Sequence, residues 1–154
     1  MTSESHWLSD TQQQVWRRWL ATNALLPGAL HRELQADAGL SLPDFHVLVQ
    51  LTESPEARVR VTDLARTLTW ERSRLSHHVT RMEKRGLVNR EECPDDGRGA
   101  FVTLTAEGRA TIERAAPAHA LTVRSLVFDQ LSEQEIDILG SALDKVLARL
   151  DPAE

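Results

Sequence analysis

The chain has 154 residues, 41% hydrophobic and 27% charged, which suits one globular core. Nowhere do the roughly 18 consecutive apolar residues of a membrane span occur, and the polar, acidic start lacks the basic-then-apolar pattern of a secretion signal. A single cysteine, Cys93, rules out an intrachain disulfide, so a cytoplasmic protein is expected.

From Asp10 to Ala36 apolar residues recur at helical spacing (Val15, Trp16, Trp19, Leu20, Leu26, Leu30, Leu34), predicting a long helix that bends near Pro27 and Gly28 and stops at Gly39. Leu42 to Thr52 follows as a short helix, with Pro43 in its first turn and a broad apolar face. After the break at Ser54-Pro55-Glu56, the alternation over Arg58 to Val61 predicts a short, half-buried strand. Thr62 is expected to cap a helix through Leu68, with a turn at Thr69.

The next helix, about Arg72 to Arg85, places Leu75, Val79 and Met82 on one face, and Gly86 suits its C-terminal stop. The period then changes to that of strands: Leu87 to Glu92 and Phe101 to Thr105 flank the turn-rich stretch 93–99 and predict a hairpin. Thr105 is expected to cap a helical region reaching about Leu131 with an interruption at Pro117. Ser132 and Glu135 form a capping box for a final helix to Leu150.

The predicted fold is therefore mainly α with a small β-hairpin wing, a winged helix-turn-helix. Residues 1–40 and 106–154 supply helices for dimerisation, and 41–105 form the DNA-binding lobe, all in one compact domain. The apolar stripe Ile136, Leu139, Leu143, Val146, Leu147 and Leu150 needs a partner, which predicts a homodimer.

Net charge is −5, which by itself counts against a nucleic-acid partner, but the distribution reverses that reading. Between Arg58 and Arg90 there are nine Lys and Arg against three acids, a local +6 that leaves −11 for the remainder. Such a basic module binds phosphates locally by releasing counterions. With Leu75, Val79 and Met82 facing the core, Ser73, His77, Thr80, Arg81 and Lys84 face away, flanked by Arg74 and Ser76. Arginine bonds both acceptors of a guanine edge, and Ser, Thr and His reach bases or phosphates. An isolated helix face of this kind is usually just solvated surface; the hairpin that follows it makes double-stranded DNA the expected partner.

The residues Leu64-Ala65, Ser73-Arg74-Leu75-Ser76 and Met82-Glu83-Lys84-Arg85-Gly86-Leu87-Val88, with Asp96-Gly97-Arg98-Gly99, Val102-Thr103-Leu104-Thr105 and Glu107-Gly108-Arg109, resemble the MarR family of transcriptional regulators. The likeness runs in order from about Leu42 to Leu131. It departs from the family at Thr69, where glycine is common, and at Glu71, where a Ser or Thr cap is usual. The resemblance implies a dimer that docks two recognition helices in successive major grooves of a pseudo-palindromic operator. It matches Arg98 to a wing-tip arginine in the minor groove, and Asp96 to an acid that orients nearby arginines. It also implies repression relieved by a small aromatic or apolar effector. Trp16, Trp19, Phe45 and His46 are candidate ligand contacts, although core packing is the plainer use of a tryptophan pair one turn apart.

No constellation for catalysis or a cofactor is apparent, so no enzyme is expected. No metal site is expected either. Adjacent helical residues such as His77 and His78 point about 100° apart, and His31, His46 and His119 are isolated. Cys93 reads as an inert thiol, since peroxide-sensing relatives carry theirs in the first helix. The competing reading is a winged-helix protein-interaction module without DNA binding. That would call for exposed aromatics or leucines where Arg81, Lys84 and Arg98 stand.

Overall fold

The computed structural model describes residues 7–92 and 99–151. Helix α1 (Asp10–Ala38) starts at a capping box in which Ser9 and Gln12 satisfy each other's backbone N–H groups. It continues as helix past Pro27 and ends where Gly39 takes a left-handed conformation. A second box, Ser41 with Asp44, opens α2 (Leu42–Glu53).

Strand β1 (Arg58–Arg60) leads directly into α3 (Val61–Leu68), so Val61 is helical and Thr62 is not the cap. The cause lies in the sheet: β1 pairs with β3 only as far as Arg60, which takes the N-cap position without a side-chain cap bond. Thr69 closes α3 in the left-handed region at φ 58°, the conformation in which glycine is natural, and Trp70 N–H donates to Ala65 O at 2.9 Å. Helix α4 (Arg72–Lys84) follows, with Glu71 at its N-cap making no side-chain cap bond. At its far end Leu87 N–H bonds back to Met82 O across Gly86, whose φ of 76° is open to glycine at little cost.

Strands β2 (Val88–Glu92) and β3 (Ala100–Leu104) pair antiparallel, with Arg90 opposite Val102. The predicted hairpin is thus two thirds of a sheet of order β1-β3-β2, because Val59 lies opposite Val102 on its other side. The core gathers Leu34 and Leu40, then Val47, Leu48 and Leu51 of α2, Leu64 of α3, and Leu75, Val79 and Met82 of α4. Val88 and Val102 of the sheet and Ile112 close it. The α4 face expected from periodicity is fully covered.

Helix α5 (Ala106–Leu126) begins at Thr105, whose hydroxyl accepts Gly108 N–H at 2.9 Å, as a cap should. Pro117 lies within this helix without interrupting it, and the helix ends at Leu126 rather than about Leu131; a short 3-10 turn occupies Phe128–Gln130. Helix α6 (Glu133–Leu150) starts at the expected Ser132 and Glu135 box. Two compact units divide the chain, 1–115 and 116–154. No residue of α6 is buried: Val146, Leu147 and Leu150 are 45%, 58% and 74% exposed. Among the described residues no helix is long and apolar enough to cross a membrane.

Candidate nucleic-acid interface

Helix α4 turns one apolar face inward and sets out a polar one. Ser73, Arg74, His77, Thr80, Arg81 and Lys84 are exposed and Ser76 is half-buried, the pattern expected from the 3.6-residue period. Several of these groups have fixed directions. The Arg74 guanidinium lies 4.3 Å from the Trp70 ring centroid, a cation–π arrangement. Thr80 Oγ1 donates to Ser76 O at 2.9 Å, while Arg81 Nη2 lies 3.1 Å from His78 Nδ1.

His78 is unassigned in the sequence reading, although its spacing of three from Leu75 and four from Met82 puts it on their face. It is buried, whereas the neighbouring His77 is exposed. Its Nε2 lies 2.8 Å from Asp44 Oδ1, and Asp44 Oδ2 accepts Arg85 Nη1 at 2.6 Å and Ser41 N–H at 2.9 Å. Arg85 also donates to Gly39 O at 2.8 Å. Burial alone would raise the Asp44 carboxyl's pKa. The hydrogen bonds from His78, Arg85 and Ser41, with the Arg85 charge, outweigh it and hold the carboxyl well below the usual carboxylate range.

Beside the N-terminal half of α4 lies a cleft of about 570 Å³ whose lining includes Arg60, Arg72, Ser73, Ser76 and Arg90. Arg90 Nη1 donates to Ser76 Oγ at 3.0 Å, tying β2 to α4. Arg58 and Arg60 both lie over Phe101, at 3.6 and 4.8 Å from its centroid. The local charge excess was the only sequence signal for Arg60, Arg72 and Arg90; their convergence depends on β1 joining the sheet. Three guanidiniums around one opening suit backbone phosphates, since they supply positive charge and planar donors together.

The other expected positions divide. Arg98, Asp96 and Cys93 lie outside the described residues. Phe45 is packed in the core cluster. His46 is exposed, as are Trp16 and Trp19 at 51% and 39%. None of these four lines either cleft flanking α4. Among the described residues no group of three His, Cys, Asp or Glu is placed to hold a metal ion.

A helix pair joined by a tight turn, a sheet beside it and a basic polar face on the second helix define a winged helix-turn-helix DNA-binding protein. The MarR family model matches residues 40–99. The chain is similar in structure to AbsC, a MarR family transcriptional regulator from Streptomyces coelicolor, at 40% identity and a TM-score of 0.89 over 96% of this chain and 99% of that one. It is likewise similar to Sco3205 of the same organism, a MarR family transcriptional regulator solved in complex with DNA. Here the identity is 44% and the TM-score 0.90, over 97% and 94% of the two chains. The HTH-type transcriptional repressor YetL of Bacillus subtilis is 28% identical over 115 residues, 75% of this chain and 68% of YetL. This protein belongs to the MarR family and is a DNA-binding transcriptional regulator, not an enzyme.

Proposed function

We propose that the protein is a homodimeric repressor, acting in the cytoplasm, whose two α4 helices read the half-sites of a pseudo-palindromic operator. The observation that carries this is the outward face of α4, where Arg81, Ser73, Thr80 and His77 stand exposed opposite a fully buried apolar face. In this reading Arg81 is the main base-reading group, and Ser73, Arg74, Ser76, His77, Thr80 and Lys84 share base and phosphate contacts. Arg60, Arg72 and Arg90 hold phosphates, and Arg98 of the wing enters the minor groove with Asp96 orienting it. Repression follows the likeness to YetL.

Residues 1–40 and 106–154 are assigned to the dimer and 41–105 to DNA. The exposed apolar side chains of α6 and of the first half of α1 support a second copy as the partner, since patches of this kind are seldom left uncovered on a monomer. Sedimentation should therefore give twice the chain mass at micromolar concentration; a monomer that binds the operator normally would exclude this arrangement.

Footprinting on the DNA upstream of the protein's own gene should show two protected half-sites roughly 34 Å apart on one face of the duplex. On that site Arg81→Ala is expected to weaken specific binding by about 1–3 kcal/mol and to relax the base preference at one position of each half-site. Equal binding of operator and random duplex by parent and variant would refute the docking mode. Control by a small aromatic or apolar anion, binding near Trp16, Trp19 and His46, completes the reading. Such a ligand should quench tryptophan fluorescence and lower operator affinity by about 5- to 150-fold.

A further inference from the structure

We propose that His78 is a positioning residue for DNA reading: held by Asp44 of α2, it presents an acceptor nitrogen that fixes the Arg81 guanidinium on the outer face of α4. This rests on the reading of Arg81 as the base-contacting group.

Two contacts hold the ring. Nε2 lies 2.8 Å from the Asp44 carboxylate, at ion-pair distance. Nδ1 lies 3.1 Å from Arg81 Nη2, which has only hydrogens to offer, so Nδ1 must be the bare acceptor. Asp44 is in turn fixed by Ser41 N–H and Arg85, and is therefore a rigid point of attachment belonging to another helix. The ring's edge-on contact with Trp70, at 5.4 Å and 83°, extends the same set to Arg74, which stacks on Trp70. Two exposed arginines of α4 are thus oriented from a single buried ring. A long, flexible guanidinium that is already oriented loses less rotamer freedom on meeting a base, which favours affinity and selectivity together.

A role confined to packing would be met by any side chain of similar volume; a positioning role needs one donor and one acceptor in these places. Glutamine supplies both through its amide, and leucine supplies neither. The charged and polar groups around the ring include Asp44 from α2, His31 from α1, Arg74 and Arg81 from α4, and Arg85 just beyond its end, which line one cleft with it.

The test measures, for the dimeric full chain, the ratio of operator affinity to random-duplex affinity, with thermal melts alongside. Four proteins are compared with the parent: Arg81→Ala, His78→Leu, His78→Gln, and the double variant His78→Leu with Arg81→Ala. His78→Leu is expected to lower the ratio about 10-fold, close to the effect of Arg81→Ala, and the double variant should be no worse than Arg81→Ala alone. His78→Gln should restore most of the ratio. If His78→Leu melts too low to assay, the glutamine variant decides: its ratio should stay near the parent's and well above that of Arg81→Ala. A loss of selectivity in Arg81→Ala with a parental ratio in His78→Leu, fully additive losses, or a His78→Gln ratio as low as that of Arg81→Ala would overturn the proposal. A parental ratio in Arg81→Ala itself would instead remove the reading of Arg81 on which it stands.

Discussion

Gly108→Ala is expected to destabilise the protein by about 3 kcal/mol, the upper end of what an overpacked methyl group costs. A Cβ at this position would lie 2.0 Å from the Leu87 carbonyl oxygen and 2.9 Å from Leu104 Cδ1. The first of these is backbone, at the step from α4 into β2, and cannot swing aside as the end of a side chain would. Relief requires the first turn of α5 to lift away from Leu87. That movement strains the Thr105 hydroxyl, which accepts Gly108 N–H at 2.9 Å and lies 2.6 Å from Gly86 O. Urea unfolding of the variant beside the parent checks this, and coincident midpoints would show that α5 can shift freely. Helix propensity alone predicts the opposite sign, since alanine is favoured over glycine inside a helix by roughly 1 kcal/mol.

The second large effect is at Asp44. Asp44→Ala should cost about 3 kcal/mol, within the range for removing one member of a buried ion pair. The substitution leaves Ser41 N–H and the buried His78 Nε2 without their carboxylate. Arg85 moderates the loss, because its side chain is 43% exposed and keeps the Gly39 carbonyl. The pH dependence has a definite sign. The folded state holds this carboxyl below its ordinary value of about 4, so its stabilisation is complete above that pH and drains away as the solution is acidified further. The near-isosteric Asp44→Asn should therefore be clearly less stable than the parent at neutral pH, with the gap closing below about pH 4. A gap that stays constant down to pH 2 would assign the loss to geometry and not to charge.

Much of the outward face of α4 was legible beforehand. Leu75, Val79 and Met82 marked the inner side of α4, and every residue placed opposite them is exposed, with Ser76 half-buried at the flank. His78 was the gap in that picture. Three residues after Leu75 and four before Met82, it shares their buried side by period, but nothing local named Asp44, 34 positions earlier in the chain, as the group it meets there. Arg58 and Arg60 read as the polar positions of a short, half-buried strand, and nothing in their neighbourhood named Phe101 as the ring they would cover.

What the sequence determined by itself are the elements and their faces. Helical period, the Ser132 and Glu135 box, the stop at Gly39 and the turn at Gly86 all act within a few residues, so local pattern carries them. The tertiary structure alone decided which distant pieces meet: β1 against β3, Asp44 between His78 and Arg85, Leu87 O against Gly108, and three arginines around one cleft. These contacts exist because the core brings separate elements together, and a residue's local periodicity says which way it faces but not what it will find there.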